Sequence, residues 1–167
     1  MTVENYEDVT KYTLDPDMLE RLMKLQNECT FIWGTKEGWP VGVIMSYVWK
    51  DGKVWLTASG QRARIPAVRR DQRVCVVVSS AGTPLGPKAI TIKGRCRILE
   101  DAATKKWFYP ALAKALVPDN EKQQQGFVKM LDSPRRVVME VTPEHWITFD
   151  GDKMAADSGG GLGMGVD

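Results

Sequence analysis

Histidine is almost missing from this sequence: of 167 residues only His145 carries an imidazole. No second histidine and no cysteine lies near it, so a zinc site built on nitrogen and sulfur ligands is not expected, and no metal is assigned. The same scarcity leaves no nucleophile–histidine–acid set. Cysteine is also sparse. Cys29, Cys75 and Cys96 are odd in number, widely spaced and set in strand-like surroundings, which fits buried thiols in a reducing compartment better than disulfides. No apolar run is long enough to span a membrane, and the polar, acidic start MTVENYEDVT is not a signal peptide. A soluble cytoplasmic protein is expected, with no membrane partner. A net charge of +2 is too small to imply nucleic-acid binding, and the arginine-rich stretch has no interleaved aromatics on which bases would stack. The length suits one domain with a real core.

The most informative stretch is residues 54–80, VWLTASGQRARIPAVRRDQRVCVVVSS. Val54, Leu56 and Ala58 alternate with Trp55, Thr57 and Ser59, the period of a half-buried strand. Residues 74–78 form a continuous apolar run of the kind buried on both faces. Between the two strands lie Arg62, Arg64, Arg69, Arg70 and Arg73, with a short helix expected over residues 65–71 and Pro66 near its start. A basic cluster alone is most often a solvated face. Here it follows a strand ending in hydroxyls, so hydroxyl, backbone N–H and guanidinium donors come together, as binding a phosphate monoester requires. The stretch is therefore read as a phosphate anchor for a cofactor.

Around this centre the chain reads as follows. Residues 1–14 are a polar arm. Asp15-Pro16 opens a helix over residues 15–28, with Met18, Leu19, Leu22, Met23 and Leu25 as its apolar stripe. Strands follow over residues 29–33 and 41–49, and Asp51-Gly52 signals a hairpin into the anchor strand. The Gly- and Pro-rich residues 81–87 are a loop. Residues 88–100 alternate as a long strand with one wet face, in which Gly94 marks a bulge or a close backbone approach. Asp101 caps a helix that Pro110 should kink, and residues 119–131 form a more polar helix. Strands over residues 135–142 and 146–149 are separated by Pro143-Glu144. The glycine-rich end, residues 155–167, lacks the strand and helix of a dinucleotide fingerprint and is read as a flexible tail. Six or more strands joined by hairpins, without strand-helix-strand alternation, predict a mainly β fold with peripheral α: a closed or nearly closed antiparallel barrel.

The order of elements and the segment DGKVWLTASGQRARIPAVRRDQRV resemble the pyridoxamine-5'-phosphate-oxidase-like split β-barrels, which bind FMN or a deazaflavin coenzyme. The likeness is narrowest to the flavin/deazaflavin oxidoreductase branch B, whose RRDPRV-like run is here Arg69-Arg70-Asp71-Gln72-Arg73-Val74, with glutamine where proline is usual. The ending VVMEVTPEHWITFDGDKM resembles that family's closing strand. The resemblance implies a six-or-more-stranded antiparallel split β-barrel over residues 15–154. It implies a cofactor ring along Val43, Ile44, Met45 and Ser46, and phosphate contacts from Thr57, Ala58, Ser59, Arg62 and Arg64. Arg64 stands where many members carry lysine; its planar fork would still grip phosphate. The resemblance further implies a homodimer with the cofactor between subunits, and a loop at residues 79–82 reaching the partner's ring.

In such a site the cofactor performs the redox step while the protein positions it and excludes water. The implied function is hydride transfer to or from a small, flat organic substrate. Coenzyme F-420 is favoured over FMN, because its lactyl-oligoglutamate tail would use the cations Arg62, Arg69, Arg70 and Arg73. A non-enzymatic cofactor carrier and a haem-handling protein remain alternatives, the latter with His145 as the one available imidazole. Tyr47, Tyr109 and Lys36 are conceivable proton donors, but spacing selects none, so no catalytic residue is assigned. Trp33, Trp39, Trp49 and Trp107 would suit either core packing or a flat apolar pocket.

Overall fold

The computed structural model describes residues 8–159. Seven strands make one antiparallel sheet in the order β2-β1-β5-β6-β7-β4-β3: β1 (Glu28–Gly34), β2 (Pro40–Ser46), β3 (Val48–Lys50), β4 (Lys53–Ser59), β5 (Arg73–Ser79), β6 (Lys88–Leu99) and β7 (Arg136–Asp150). β2 and β3 are the two edges of this sheet, yet only Tyr47 separates them in sequence. Six inter-strand steps of about 4.8 Å would put the edges of a flat sheet roughly 29 Å apart, whereas one residue reaches about 3.5 Å. The sheet must therefore roll up until its edges meet. Tyr47 holds the junction: it is fully buried, its amide donates to the Asn27 carbonyl at 2.9 Å, and its hydroxyl donates to the Met23 carbonyl at 3.0 Å. The result is the mainly β split barrel that the sequence predicts.

The barrel interior is filled by the inward residues of these strands, among them Phe31, Met45, Val54, Leu56, Val76, Ile90, Ile92, Met139 and Val141, together with Leu22 and Met23 of α1 (Pro16–Leu25). A second apolar layer lies outside. There α3 (Ala102–Leu116) and α4 (Glu121–Leu131) cover Trp55 and Val138 with Phe108, Tyr109, Leu112 and Leu131. Side-chain caps start both helices: Asp101 accepts from the Thr104 amide at 2.8 Å, and Asn120 from the Gln123 amide at 3.0 Å. The Asp51-Gly52 hairpin is present, with φ of 55° and 69° at the two residues, the left-handed pair that such a turn demands.

Several expectations change. The helix expected over residues 15–28 ends at Leu25, because the chain turns extended at Gln26 and enters β1 at Glu28. The strand expected over residues 41–49 is divided at Tyr47, where the chain crosses from one sheet edge to the other. β5 is not buried on both faces: Val74, Val76 and Val78 are buried, while Cys75 and Val77 are half-buried on the outer face. Trp55 is buried with its inward neighbours because α3 lies over it, its ring 4.8 Å from that of Trp107. Pro143 does not break β7. The β6–β7 register shifts at Lys93/Gly94, so Gly94 opposes Pro143 and Lys93 opposes His145, and a bulge is where a strand tolerates proline. Gly94 is both the bulge and the close approach, since a Cβ there would collide with the Thr142 carbonyl.

Both ends of the described chain are tied to β7. Tyr12 and Leu14 of the segment read as an arm are buried. The Asp150 amide donates to the Tyr12 carbonyl at 2.8 Å, and the Leu14 amide to Thr148 Oγ1 at 3.0 Å. A helix, α5 (Gly151–Asp157), extends into the stretch read as a tail, whose remaining residues 160–167 lie outside the described residues. α5 is fixed by a buried ion pair: Lys88 Nζ meets Asp150 Oδ1 at 2.9 Å and Asp152 Oδ2 at 2.7 Å. Burial disfavours the Lys88 charge, but the hydrogen bonds that Lys88 donates to Asp152 and Asp150 raise its pKa on balance, and Lys88 lowers that of Asp150 against the same opposition.

Candidate functional site

β4 leaves the barrel at Ser59 through a tight turn. The Gly60 amide donates to the Arg135 carbonyl at 2.7 Å, the Arg62 amide to Ser59 at 3.0 Å, and the Ile65 amide to Arg62 at 2.9 Å. The chain then enters α2 (Arg64–Arg70), which buries Ile65, Ala67 and Val68 in the barrel core. That burial fixes the orientation of Arg64. Its guanidinium carbon lies 6.0 Å from the centre of the Trp33 ring, within cation–π reach. Its Nε is buried with no hydrogen-bond partner. Burial, and secondly the charge of Arg62, lower its pKa. A desolvated guanidinium lacking an acceptor is suited to receive an anion's oxygens.

The five arginines separate in space. Arg69 pairs with Glu100. Arg70 Nη2 donates to the Gly34 carbonyl at 2.8 Å. Arg73 forks onto Asp71 at 2.6–3.1 Å and holds that carboxyl down to about 2. Arg62 is exposed and has no ion pair among the described residues. Charge counting in the sequence could not make this distinction for Arg69 and Arg70, whose partners Glu100 and the Gly34 carbonyl come from other elements, whereas Arg73 pairs with Asp71 two residues before it.

The other expected contacts fall on two strands. On β4, Thr57 and Ser59 face outward, and the Thr57 hydroxyl donates to the Val137 carbonyl at 2.7 Å, while Ala58 faces the core. On β2, Val43 and Met45 turn toward the core, whereas Ile44 is 63% exposed on the outer face and Ser46 is half-buried. Arg64 is the one of these residues placed beside β2: Trp33, which lies under it, pairs with Val41, two residues before Val43, in the β1–β2 ladder. In the loop at residues 79–82, the carbonyls of Ser79 and Ala81 are tied back to Gln26 Nε2 at 3.0 and 3.2 Å.

The candidate proton donors sort by burial. Tyr47 is committed to the Met23 carbonyl, and burial raises its pKa strongly. Tyr109 is buried in the outer helical layer with its hydroxyl unpartnered, and burial raises its pKa as well. Lys36 is exposed. Of the four tryptophans, Trp33 and Trp107 pack in the two apolar layers and Trp39 is exposed. Trp49 meets Trp146 edge to face at 5.9 Å, and the pair walls an open cleft of about 580 Å³ with Leu14, Leu19 and Lys53. Sequence reasoning passed over Arg136, which lies directly opposite Ser59 in the β4–β7 pair and whose Nε is also buried without a partner. The register between two strands nearly eighty residues apart carries no local signal that would reveal it.

A family model for pyridoxamine 5'-phosphate oxidase matches residues 22–150. The chain belongs to this family. The match takes in all seven strands and both strands of the candidate site. Among solved structures, a conserved hypothetical protein of Mycobacterium tuberculosis is similar at 16% identity, over 87% of this chain and 91% of that one, with a TM-score of 0.75. An F-420 reductase is similar at 17% identity, over 77% and 94%, with a TM-score of 0.53. A haem storage protein of Vibrio cholerae is similar at 10% identity, over 80% and 92%, with a TM-score of 0.58. At these identities the likeness is one of fold. No curated protein matches the sequence. Among the described residues no helix is long and apolar enough to cross a membrane, and no cluster of potential metal ligands occurs.

Proposed function

We propose that this member of the pyridoxamine 5'-phosphate oxidase family is an oxidoreductase that binds coenzyme F-420 at a homodimer interface and transfers hydride to or from a small planar substrate. The observation that carries the reading is the buried, partnerless Nε of Arg64 just beyond the hydroxyl-bearing end of β4. Thr57, Ala58, Ser59, Arg62 and Arg64 would hold the cofactor's phosphate, and β2, from Val43 to Ser46, would flank its ring. Bound there, the cofactor supplies two-electron hydride chemistry. The chain's own residues fix its position and shield it from water.

Homodimerisation is supported by the outer face of the sheet. Ile44, Thr30, Val77, Thr91 and Ile147 lie in one cross-strand row over five strands, and Ile44 and Ile147 are 63% and 57% exposed. Exposed isoleucines at both ends of a row otherwise made of valine and threonine favour a covering partner, and a second copy would complete a ring site that β2 flanks on one side only.

FMN is the second reading, since the same hydroxyl and guanidinium donors suit a phosphate that ends the molecule. Titrating the full chain with FMN and with the deazaflavin coenzyme, and repeating both with Arg64→Ala, tests the proposal. Wild type should prefer the deazaflavin. Losing a charge-assisted contact should cost about 1.5–3 kcal/mol, roughly ten- to a hundredfold in affinity. Stoichiometric FMN would reverse the choice of cofactor. A Soret band with haem and no response to either flavin would support haem handling instead, an activity for which His145, exposed on β7, is the sole imidazole. Bound coenzyme without turnover across a broad acceptor panel would identify a carrier.

A further inference from the structure

We propose that the open cleft walled by Trp49 and Trp146 binds a ligand carrying a quaternary ammonium head. This site is separate from the cofactor anchor and does not rest on it. Lys53, in the cleft, and Ser59, at the anchor, are the two ends of β4, six residues and therefore about 20 Å apart along an extended strand. The strand register explains why two tryptophans meet here. Trp49 pairs with Val54 of β4, and Trp146 with Ile92 of β6. Directly opposed residues of an antiparallel pair share a face, and Val54 and Ile92 both fill the barrel. Trp49 and Trp146 therefore turn inward at the barrel mouth, on the side of the sheet opposite the row that ends in Ile44 and Ile147. A second copy seated on that row leaves the cleft open. Leu14 and Leu19 complete its apolar wall, and Leu14 is fixed by the bond from its amide to Thr148.

The two rings cross at 84° with their centres 5.9 Å apart, so their faces make the perpendicular walls of a corner. An indole face attracts a cation within about 6 Å of its centre, most strongly a poorly hydrated one, and aromatic corners of this kind recognise quaternary ammonium groups. Among the described residues Lys50 lies over Trp107 and Arg64 over Trp33, but no lysine or arginine covers Trp49 or Trp146. Glu20 adds a carboxylate at the ring edge: Trp49 Nε1 donates to its Oε2 at 2.9 Å. That bond is the main influence lowering the Glu20 pKa, so the group is charged at neutral pH. Its other oxygen meets Lys24 at 3.0 Å in an exposed pair, a contact worth little. Asp51 supplies a second carboxylate to the lining, whereas the ammonium of Lys53 is held by the buried Glu140 at 3.1 Å. A quaternary head would set its methyl groups against the rings and the leucines, with its charge facing Glu20. A neutral ligand of the same shape would gain only the apolar part, and a primary ammonium would keep its water.

The test is calorimetric titration of the full chain with choline, into the tens of millimolar, and with its uncharged carbon isostere dimethylbutanol at the same ionic strength. Wild type should bind choline, and the isostere at least about fivefold more weakly. Trp146→Leu should weaken choline between about twofold and thirtyfold, and Trp146→Phe should lose less. Glu20→Gln, which keeps an oxygen acceptor for Trp49, should weaken choline and leave the isostere unchanged. Trp146 is 39% exposed, so its replacement should spare the fold, and thermal unfolding checks this; should Trp146→Leu not fold, Trp146→Phe and Glu20→Gln carry the comparison. Phosphatidylcholine vesicles, tested by co-sedimentation, present the same head on a lipid: binding of choline without the vesicles identifies a free small molecule, and binding of both a lipid head. The proposal is overturned if choline does not bind, if the isostere binds equally well, or if the Trp146 and Glu20 variants leave the affinity for choline unchanged.

Discussion

Lys88→Met should destabilise the protein by about 3–5 kcal/mol at neutral pH, the usual cost of removing one partner from a buried ion pair. Both groups are buried, with side-chain exposures of 3% for Lys88 and 8% for Asp150. Without the ammonium, the Asp150 carboxylate would lie in a poorly solvated site, still accepting weakly from the Asp152 and Lys153 amides at 3.1 and 3.4 Å. The pH dependence separates this cause from simple loss of packing. In wild type the Asp150 pKa is lowered by Lys88, so its stabilising contribution is present above the unfolded value near 3.9 and is lost as pH falls through the folded pKa. The Lys88 pKa is raised, so its contribution is complete below about 10.4 and is lost as pH climbs through the folded value. In the variant only the burial of Asp150 remains as a strong influence, so its folded pKa should lie above the unfolded one. The deficit should then shrink as pH drops from 7 toward 4, because protonation removes the stranded charge. Urea unfolding of both proteins between pH 4 and 8 measures this. A deficit that stays constant across that range would refute the electrostatic account and leave only lost packing.

Gly94→Ala should cost at least about 1–3 kcal/mol in urea unfolding, since its Cβ would press on the Thr142 carbonyl and overpacking is penalised on that scale; an unchanged midpoint would mean that the bulge relaxes freely. Ile44→Asp, placed in the exposed outer row, should leave thermal unfolding nearly unaltered while shifting sedimentation from dimer to monomer, and a dimer that persists would remove this face from the interface. In native protein at most one thiol of three should react with a disulfide reagent, because Cys29 and Cys96 are buried with pKa values pushed up to about 12, whereas Cys75 is half-exposed on the outer face. Three equally reactive thiols would contradict the described burial.

What the sequence revealed depended on how local the signal was. The Asp51-Gly52 hairpin, the Asp101 cap and the alternation along residues 88–100 are set by neighbours within a few positions, and they are found where the pattern puts them. The joining of β2 to β3 across the closed sheet was not visible, because Tyr47 is an ordinary residue until the order of strands is known. The continuous strand through Pro143 depends on a bulge in a different strand, at Gly94. At the candidate site the hydroxyl-bearing strand end and Arg64 were legible from composition and resemblance. The partners that occupy Arg69 and Arg70, and the position of Arg136 across from Ser59, follow from contacts distant in sequence, about which a run of letters is silent.

The meeting of the two sheet edges at Tyr47 has a consequence for engineering. The Asp150 amide is bonded to the Tyr12 carbonyl, so the chain enters and leaves the barrel side by side, and a linker replacing the residues before Tyr12 and after α5 could join the two. A circular permutant opened between Ser46 and Tyr47 would retain every cross-strand pairing but release both rims from their shared thread. Exchange of rim strands between molecules should follow, seen as concentration-dependent oligomers and faster amide deuteration in β2 and β3 than in β5 and β6. Equal deuteration in all four would show that the wall holds together without its clasp.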